Sequence, residues 1–378
     1  MKRKMILLLV MKLHAFLIWA QPPDPLKWWN PEENTYPVIE GRRWPNHEMK
    51  SFYSRLPARA EKLVRTPVWG LSRNAAGLII RFKTNAKQLT VRYAVTSRLN
   101  MPHFSSTGAS GLDLYSLNAE GRWNWSPGGF SFGDTITYRY DLSGNEGDPQ
   151  RVFVLYLPTY NTVKWLRIGV PREASFTPLE ARKERPVIVY GTSVTQGACA
   201  SRPGMAWPSI VGRRLNWPFI NLGFSGNGTL DKEMIDLINE VDAKAVILDC
   251  VANLLIKKYP LAEVKKRIME SVKSIRSKHP LTPVLLAAFP GIHPDRLDKK
   301  WGAEVAEINQ TLNEAYALLK KQGVKNLYLL TAGEMHMGFE DTVDYAHATD
   351  LGLLHYAQAF EKALRSIFNK PAGYLAAD

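Results

Sequence analysis

The run PVIVYGTSVTQG, residues 186–197, places the apolar stretch 187–190 directly before Gly191 and Ser193. A short, near-continuous apolar run ending at glycine predicts a strand buried on both faces, so Ser193 stands at the mouth of that strand. Far downstream, in TVDYAHATDLG (342–352), Asp344 and His347 lie within one short stretch. A seryl hydroxyl is inert until a histidine removes its proton, and the histidine needs a carboxylate to hold its tautomer and orientation. These are the residue types that nucleophilic acyl transfer requires.

Four further apolar runs follow the first: PFINLG (218–223), AKAVILDC (243–250), TPVLLAAF (282–289) and KNLYLL (325–330). Amphipathic helical patterns lie near 204–215, 231–240, 261–279 and 302–322, with a last helix from about 351. Aliphatic strands alternating with helices predict an α/β domain, a parallel sheet covered on both faces. Ligands in such sheets bind beyond the carboxyl ends of the strands. Ser193 follows the first run, Gly226 the second and Asn253 the third, and the loop with Asp344 and His347 follows the fifth. One site is therefore expected, assembled from separate places in the chain.

The N-terminal half has a different pattern. GLIIRFKT, LTVRYAVT, DTITYRYDL and RVFVLYLP are short alternating runs that end at Gly, Pro, Asn or Asp. They predict an antiparallel β-sandwich over residues 21–172. Residues 173–185 lack periodicity and read as a linker to a catalytic domain at 186–372. Trp28, Trp29, Trp44, Trp69, Trp123 and Trp125 are expected mainly to fill the sandwich core, the alternative being that they stack on sugar rings.

The first residues, MKRKMILLLVMKLHAFLIWAQPP, have a basic start, a short apolar stretch and Ala20 before a proline-rich segment. They read as a signal peptide at 1–20, with an uncleaved anchor as the alternative. A periplasmic or secreted location follows, with no membrane span after cleavage. The formal charge of +14 comes partly from the first residues and partly from lysines scattered over the C-terminal helices, the latter being the pattern of a solvated face, not of a nucleic-acid partner. Cys199 and Cys250 are not spaced as a metal site, and no metal or cofactor is expected. They are read as free thiols, with a disulfide as the alternative.

At this point the blocks GTS (191–193), NLGFSGNG (221–228), LDCVANL (248–254) and DYAH (344–347) resemble, in order, the signatures of the SGNH (GDSL-like) hydrolases. YGTSVTQG, CASRPGMA and the GxDLY pattern at Gly111–Tyr115 are similar to a bacterial subgroup with an N-terminal sandwich. The resemblance implies a flavodoxin-like three-layer α/β/α domain with a five-stranded parallel sheet, behind a jelly-roll-like domain. It also implies a serine esterase in which Ser193 attacks, His347 acts as base and acid, and Asp344 orients His347. The N–H groups of Ser193 and Gly226 and the Asn253 amide would form the oxyanion hole. From its place in the loop after Ser193, Arg202 could line the pocket, the alternative being that it caps and braces that loop. Thr195 stands where the α/β-hydrolase elbow has glycine. Two departures are Tyr345 in place of the family's glycine and Ala348 in place of its proline. Rival residues are His336 and Asp350, the latter read as the cap of the last helix.

The expected substrate is an ester-bearing small molecule or an acylated glycan, which would make the protein a carbohydrate (acetyl) esterase. Alternatives are a short-chain or lysophospholipase-like acylhydrolase, and an inactive glycan-binding protein.

Overall fold

A computed structural model describes residues 24–145, 151–291 and 298–369; the expected signal peptide lies outside these residues. The N-terminal strands are β1 (Leu26–Trp29), β2 (Ile39–Glu40), β3 (Ile79–Thr84), β4 (Gln88–Val95), β5 (Asp113–Leu117) and β6 (Trp123–Ser126). They continue with β7 (Gly128–Ser131), β8 (Ile136–Asp141), β9 (Val152–Tyr156), β10 (Val163–Pro171) and β11 (Phe176–Pro178). One antiparallel sheet has the order β1-β10-β4-β8-β7, the other β11-β3-β9-β5-β6, with β2 also paired to β3. Alternate residues point inward: Leu89, Val91 and Tyr93 of β4 share a core with Ile80 and Phe82 of β3 and with Phe153 and Leu155 of β9.

β10 was not legible as a strand because its register slips between Val163 and Trp165, which breaks the two-residue alternation. The segment expected as a linker contains β11, paired with Thr84, Lys83 and Phe82 of β3. Residues 41–74, expected inside the sandwich, divide between the two cores, with Tyr53 in that of the sandwich. They form short turns and the helix Thr66–Ser72, and they place Trp44, Leu56, Val64, Val68 and Trp69 in the core of the C-terminal domain.

That domain is built on β12 (Val187–Gly191), β13 (Phe219–Gly223), β14 (Ala245–Asp249), β15 (Val284–Ala287) and β16 (Leu327–Leu330), all parallel, in the order β13-β12-β14-β15-β16. Alternation divides the strands between two cores. Ile188, Tyr190, Val246 and Leu248 face the helices Lys232–Ile238, Leu261–Lys278 and Lys299–Lys321. Val187, Val189, Ala245 and Ile247 face Trp207–Leu215 and Asp350–Ile367, where Trp207 stacks on Phe360 at 4.0 Å between ring centroids. Three layers result, since strands apolar on both faces must be covered on both. On the first face, the early segment 44–69 supplies part of the cover.

Arg55 fastens that segment. It is fully buried and donates to the carbonyls of Asn74, Leu71, Asn221 and Gly223 at 2.7–3.0 Å. Burial pushes its guanidinium down to about 9. No helix among the described residues is long and apolar enough to cross a membrane.

Candidate active site

Strand register brings the site together. Gly191 stands opposite Gly223 on one side and Asp249 on the other, so three chain segments leave the sheet at one level. The first becomes the short helix Ser193–Gln196, with Ser193 8% exposed. The second becomes a turn over residues 224–228. The third becomes the helix Val251–Ile256, which carries Asn253.

His347 spans Ser193 and Asp344. Its Nε2 lies 2.9 Å from Ser193 Oγ and its Nδ1 lies 2.8 Å from Asp344 Oδ2. The other Asp344 oxygen accepts the backbone N–H groups of His347 at 2.8 Å and Ala346 at 3.2 Å. Burial pushes the Asp344 carboxyl up, but the His347 and Ala346 donors outweigh it and hold the group below the usual carboxylate range. With its proton on Nδ1, the His347 ring donates to the Asp344 carboxylate and turns the Nε2 lone pair toward the Ser193 hydroxyl.

The loop that presents His347 is tied at its base. Val343 N–H donates to His347 O at 2.8 Å, Thr349 N–H to Asp341 O at 2.9 Å, and Ala348 is buried. A proline would stiffen this stretch; here the Thr342–Ala348 bridge closes it. Tyr345 occupies φ +52°, the left-handed region that suits glycine, so the departure at that position leaves backbone strain of about 1–2 kcal/mol beside the acid. The cap of the last helix is Thr349, whose hydroxyl accepts Gly352 N–H at 3.3 Å, not Asp350. Asp350 instead accepts Ser201 N–H at 2.9 Å, linking that helix to the loop behind Ser193. His336 is exposed at the end of a separate turn.

In the turn 224–228, hydrogen bonding singles out Gly226. Phe224 N–H donates to Gly191 O, Ser225 N–H to Gln196 Oε1, Asn227 N–H to Phe224 O, and Gly228 N–H to Phe224 O and Asn253 Oδ1. Among the described residues, the N–H groups of Gly226 and Ser193 have no protein acceptor. Gly226 sits at φ +65°, which glycine adopts freely. Asn253, 2% exposed, accepts through Oδ1, so its Nδ2 amino group remains as a donor.

Arg202 faces the domain junction. Its Nη1 pairs with Asp113 of the GxDLY pattern at 2.6 Å and bonds Tyr115 Oη, and its guanidinium lies 4.4 Å from the Trp125 ring centre. It braces the loop behind Ser193 against the sandwich, and none of its hydrogen bonds reaches the Ser193–His347 pair.

Several neighbours escaped the sequence reading. Tyr160 Oη donates to Ser193 O at 3.3 Å, and Gln196 Nε2 donates to Thr159 O at 3.0 Å, so the sandwich supports the helix that begins at Ser193. Thr195 Oγ1 donates to the buried carboxylate of Asp249 at 2.7 Å. The His103 ring lies 5.3 Å from that of His347. Cys199 and Cys250 are free thiols.

The family model of GDSL-like lipases and acylhydrolases matches residues 184–365, and that of the GxDLY N-terminus of SGNH-hydrolase-type esterases matches 26–176. No curated protein matches the chain. Among solved structures, a protein described as a GDSL-like lipase from Bacteroides ovatus ATCC 8483 is 30% identical, with TM-score 0.81 over 91% of this chain and 98% of its own. The salicylyl-acyltransferase SsfX3 of a tetracycline biosynthetic pathway is 18% identical, with TM-score 0.72 over 92% and 99%. A family 2 carbohydrate esterase with a carbohydrate-binding domain from Corynascus thermopiles (Myceliophthora fergusii) is 14% identical, with TM-score 0.55 over 78% and 94%. The last two share the fold. The chain belongs to the GDSL-like lipase/acylhydrolase family and is a carboxylic ester hydrolase with an N-terminal GxDLY domain.

Proposed function

We propose that this protein is an extracytoplasmic serine esterase that removes acetyl or similarly small acyl groups from a polysaccharide or glycan. The observation that carries the mechanism is the hydrogen-bonded line from Ser193 Oγ through His347 to Asp344, at 2.9 and 2.8 Å. Ser193 attacks the ester carbonyl while its proton passes to His347 Nε2. The carbonyl oxygen gains negative charge, which the N–H groups of Ser193 and Gly226 and the Asn253 amide meet as donors already in place. Collapse of the tetrahedral intermediate expels the alcohol, which takes the proton from His347. Water then repeats the sequence on the acyl-enzyme and releases the acid.

Support for a glycan substrate is of another kind: the two-domain fold is shared with a carbohydrate esterase. The basic, apolar N-terminal residues support export.

The test is hydrolysis of p-nitrophenyl esters of increasing chain length, followed by acetate release from acetylated polysaccharides. Preference for acetyl and release from the glycan are expected, and Ser193→Ala abolishes both. A wild type no faster than Ser193→Ala on every ester would overturn the mechanism, and preference for long acyl chains would overturn the glycan substrate.

A further inference from the structure

Cys199 and His103 come from different domains, and nothing in the esterase mechanism uses either. Folding nevertheless sets them around the base. One donor atom each from His103, Cys199 and His347 lie within 4.8 Å of one another. His103 belongs to the loop between β4 and β5, while Cys199 lies in the loop after the Ser193 helix at φ +61°. The Cys199 thiol points its hydrogen bond at the His103 carbonyl oxygen, 3.4 Å away, which keeps the two loops in register. Sequence spacing concealed this group, because its members are about 100 and 150 residues apart and the second cysteine, Cys250, lies buried elsewhere.

Two imidazoles and a thiol are the ligands that borderline-soft divalent cations prefer. A tetrahedral zinc with bonds of about 2.0 Å to nitrogen and 2.3 Å to sulfur needs donor atoms roughly 3.5 Å apart. Separations of no more than 4.8 Å need a closure of at most about 1 Å to reach that arrangement. His347 Nδ1 is held by Asp344, so the nitrogen open to a metal is Nε2, the one that faces Ser193. An Nδ1 partner is also what a histidine ligand ordinarily has in a metal site.

We propose that His103, Cys199 and His347 form an inhibitory site for zinc or a similar soft divalent cation, which binds the general base and switches the esterase off reversibly. The cation displaces the Ser193 hydroxyl from Nε2. It binds the Cys199 sulfur as thiolate, whose proton leaves to solvent, and the lone pairs of the two imidazoles complete the protein ligands. No electron is transferred, and a chelator reverses the change. The inference rests on His347 as the base, so its test includes binding measured without any ester.

Zinc sulfate is titrated calorimetrically into wild type, Ser193→Ala, Cys199→Ala and His103→Ala. One zinc per chain is expected for the first two, with affinity at least about tenfold lower in the last two. Cobalt(II) in place of zinc is expected to give a thiolate-to-cobalt absorption band in wild type and Ser193→Ala and none in Cys199→Ala. In ester assays, with each variant referred to its own metal-free rate, zinc inhibits wild type at concentrations at least about tenfold lower than either ligand variant. Equal affinity in all four proteins, or no binding up to millimolar zinc, overturns the site. Binding without inhibition overturns the switch. Absence of esterase activity alongside intact binding would count against the esterase mechanism while leaving the metal site standing.

Discussion

The Asp113 carboxylate, 2% exposed, meets the Arg202 guanidinium at 2.6 Å and also accepts Gly204 N–H at 3.0 Å. A strand of the sandwich thus holds the loop that follows the Ser193–Gln196 helix, and the GxDLY acid has a physical task. Burial raises the Asp113 carboxyl, and the Arg202 charge and hydrogen bond oppose that rise only in part. Removing one partner of a buried pair leaves the other uncompensated, at about 3–5 kcal/mol.

Arg202→Ala is therefore expected to destabilise the fold in a pH-dependent way. Without the guanidinium the folded-state pKa of Asp113 rises further above its unfolded value. The folded state then holds a proton that the unfolded state has released, and stability falls as pH rises through that window. Urea unfolding at pH 4.5 and pH 8 should show the larger loss at pH 8; an equal loss at both would place the bond's value in packing alone.

Asp344→Asn should leave the fold intact and lower kcat by about 10³–10⁴. The amide cannot stabilise an imidazolium and presents the wrong partner to Nδ1. Unchanged thermal unfolding together with this loss would assign the effect to chemistry, whereas an unchanged kcat would remove Asp344 from the triad.

Asn253→Ala should lower kcat by about 10²–10³, as loss of one oxyanion donor does. The Gly228 N–H loses an acceptor in the same change, so Asn253→Asp serves as the companion variant: it keeps an acceptor for Gly228 but not the donor. If Asn253→Asp retains near-native kcat, the side chain supports the turn and does not meet the oxyanion.

Asp249 gives a second pH signature. Burial raises its carboxyl from 3.8 to about 7, against the Thr195 hydrogen bond. A folded pKa above the unfolded one means that the group's contribution to stability falls as pH rises from about 4 to 7 and is level beyond. Asp249→Asn should flatten that part of the profile and be more favourable, relative to wild type, at pH 8 than at pH 4. Calorimetric melting across this range gives the comparison.

The sheet and the strand-end residues were legible because short aliphatic runs alternate with amphipathic helical patterns, which calls for buried parallel strands with their loops at the carboxyl edge. Ser193, Gly226, Asn253 and the Asp344–His347 loop inherit their positions from that rule. The partners of Arg202, His103 and Tyr160 were not legible, because they lie across a domain junction that no local pattern encodes. Trp44 and Trp69 misled for the same reason: their burial was expected, but the core that buries them is that of the other domain. Asp350 was misread by a single position, since Thr349 beside it is an equally good cap.

Arg55 donates to carbonyls of β13, a strand that begins more than 150 residues later in the chain. During synthesis, Trp44, Leu56, Val68 and Trp69 therefore emerge long before the sheet that covers them exists. The sandwich can close around its own core, Tyr53 included, while these four side chains wait uncovered for β13 and the strands after it. A chain stalled before β13 therefore leaves Arg55 without the Asn221 and Gly223 carbonyls and keeps an uncovered apolar flap, the kind of exposed surface that makes unfinished protein prone to aggregate.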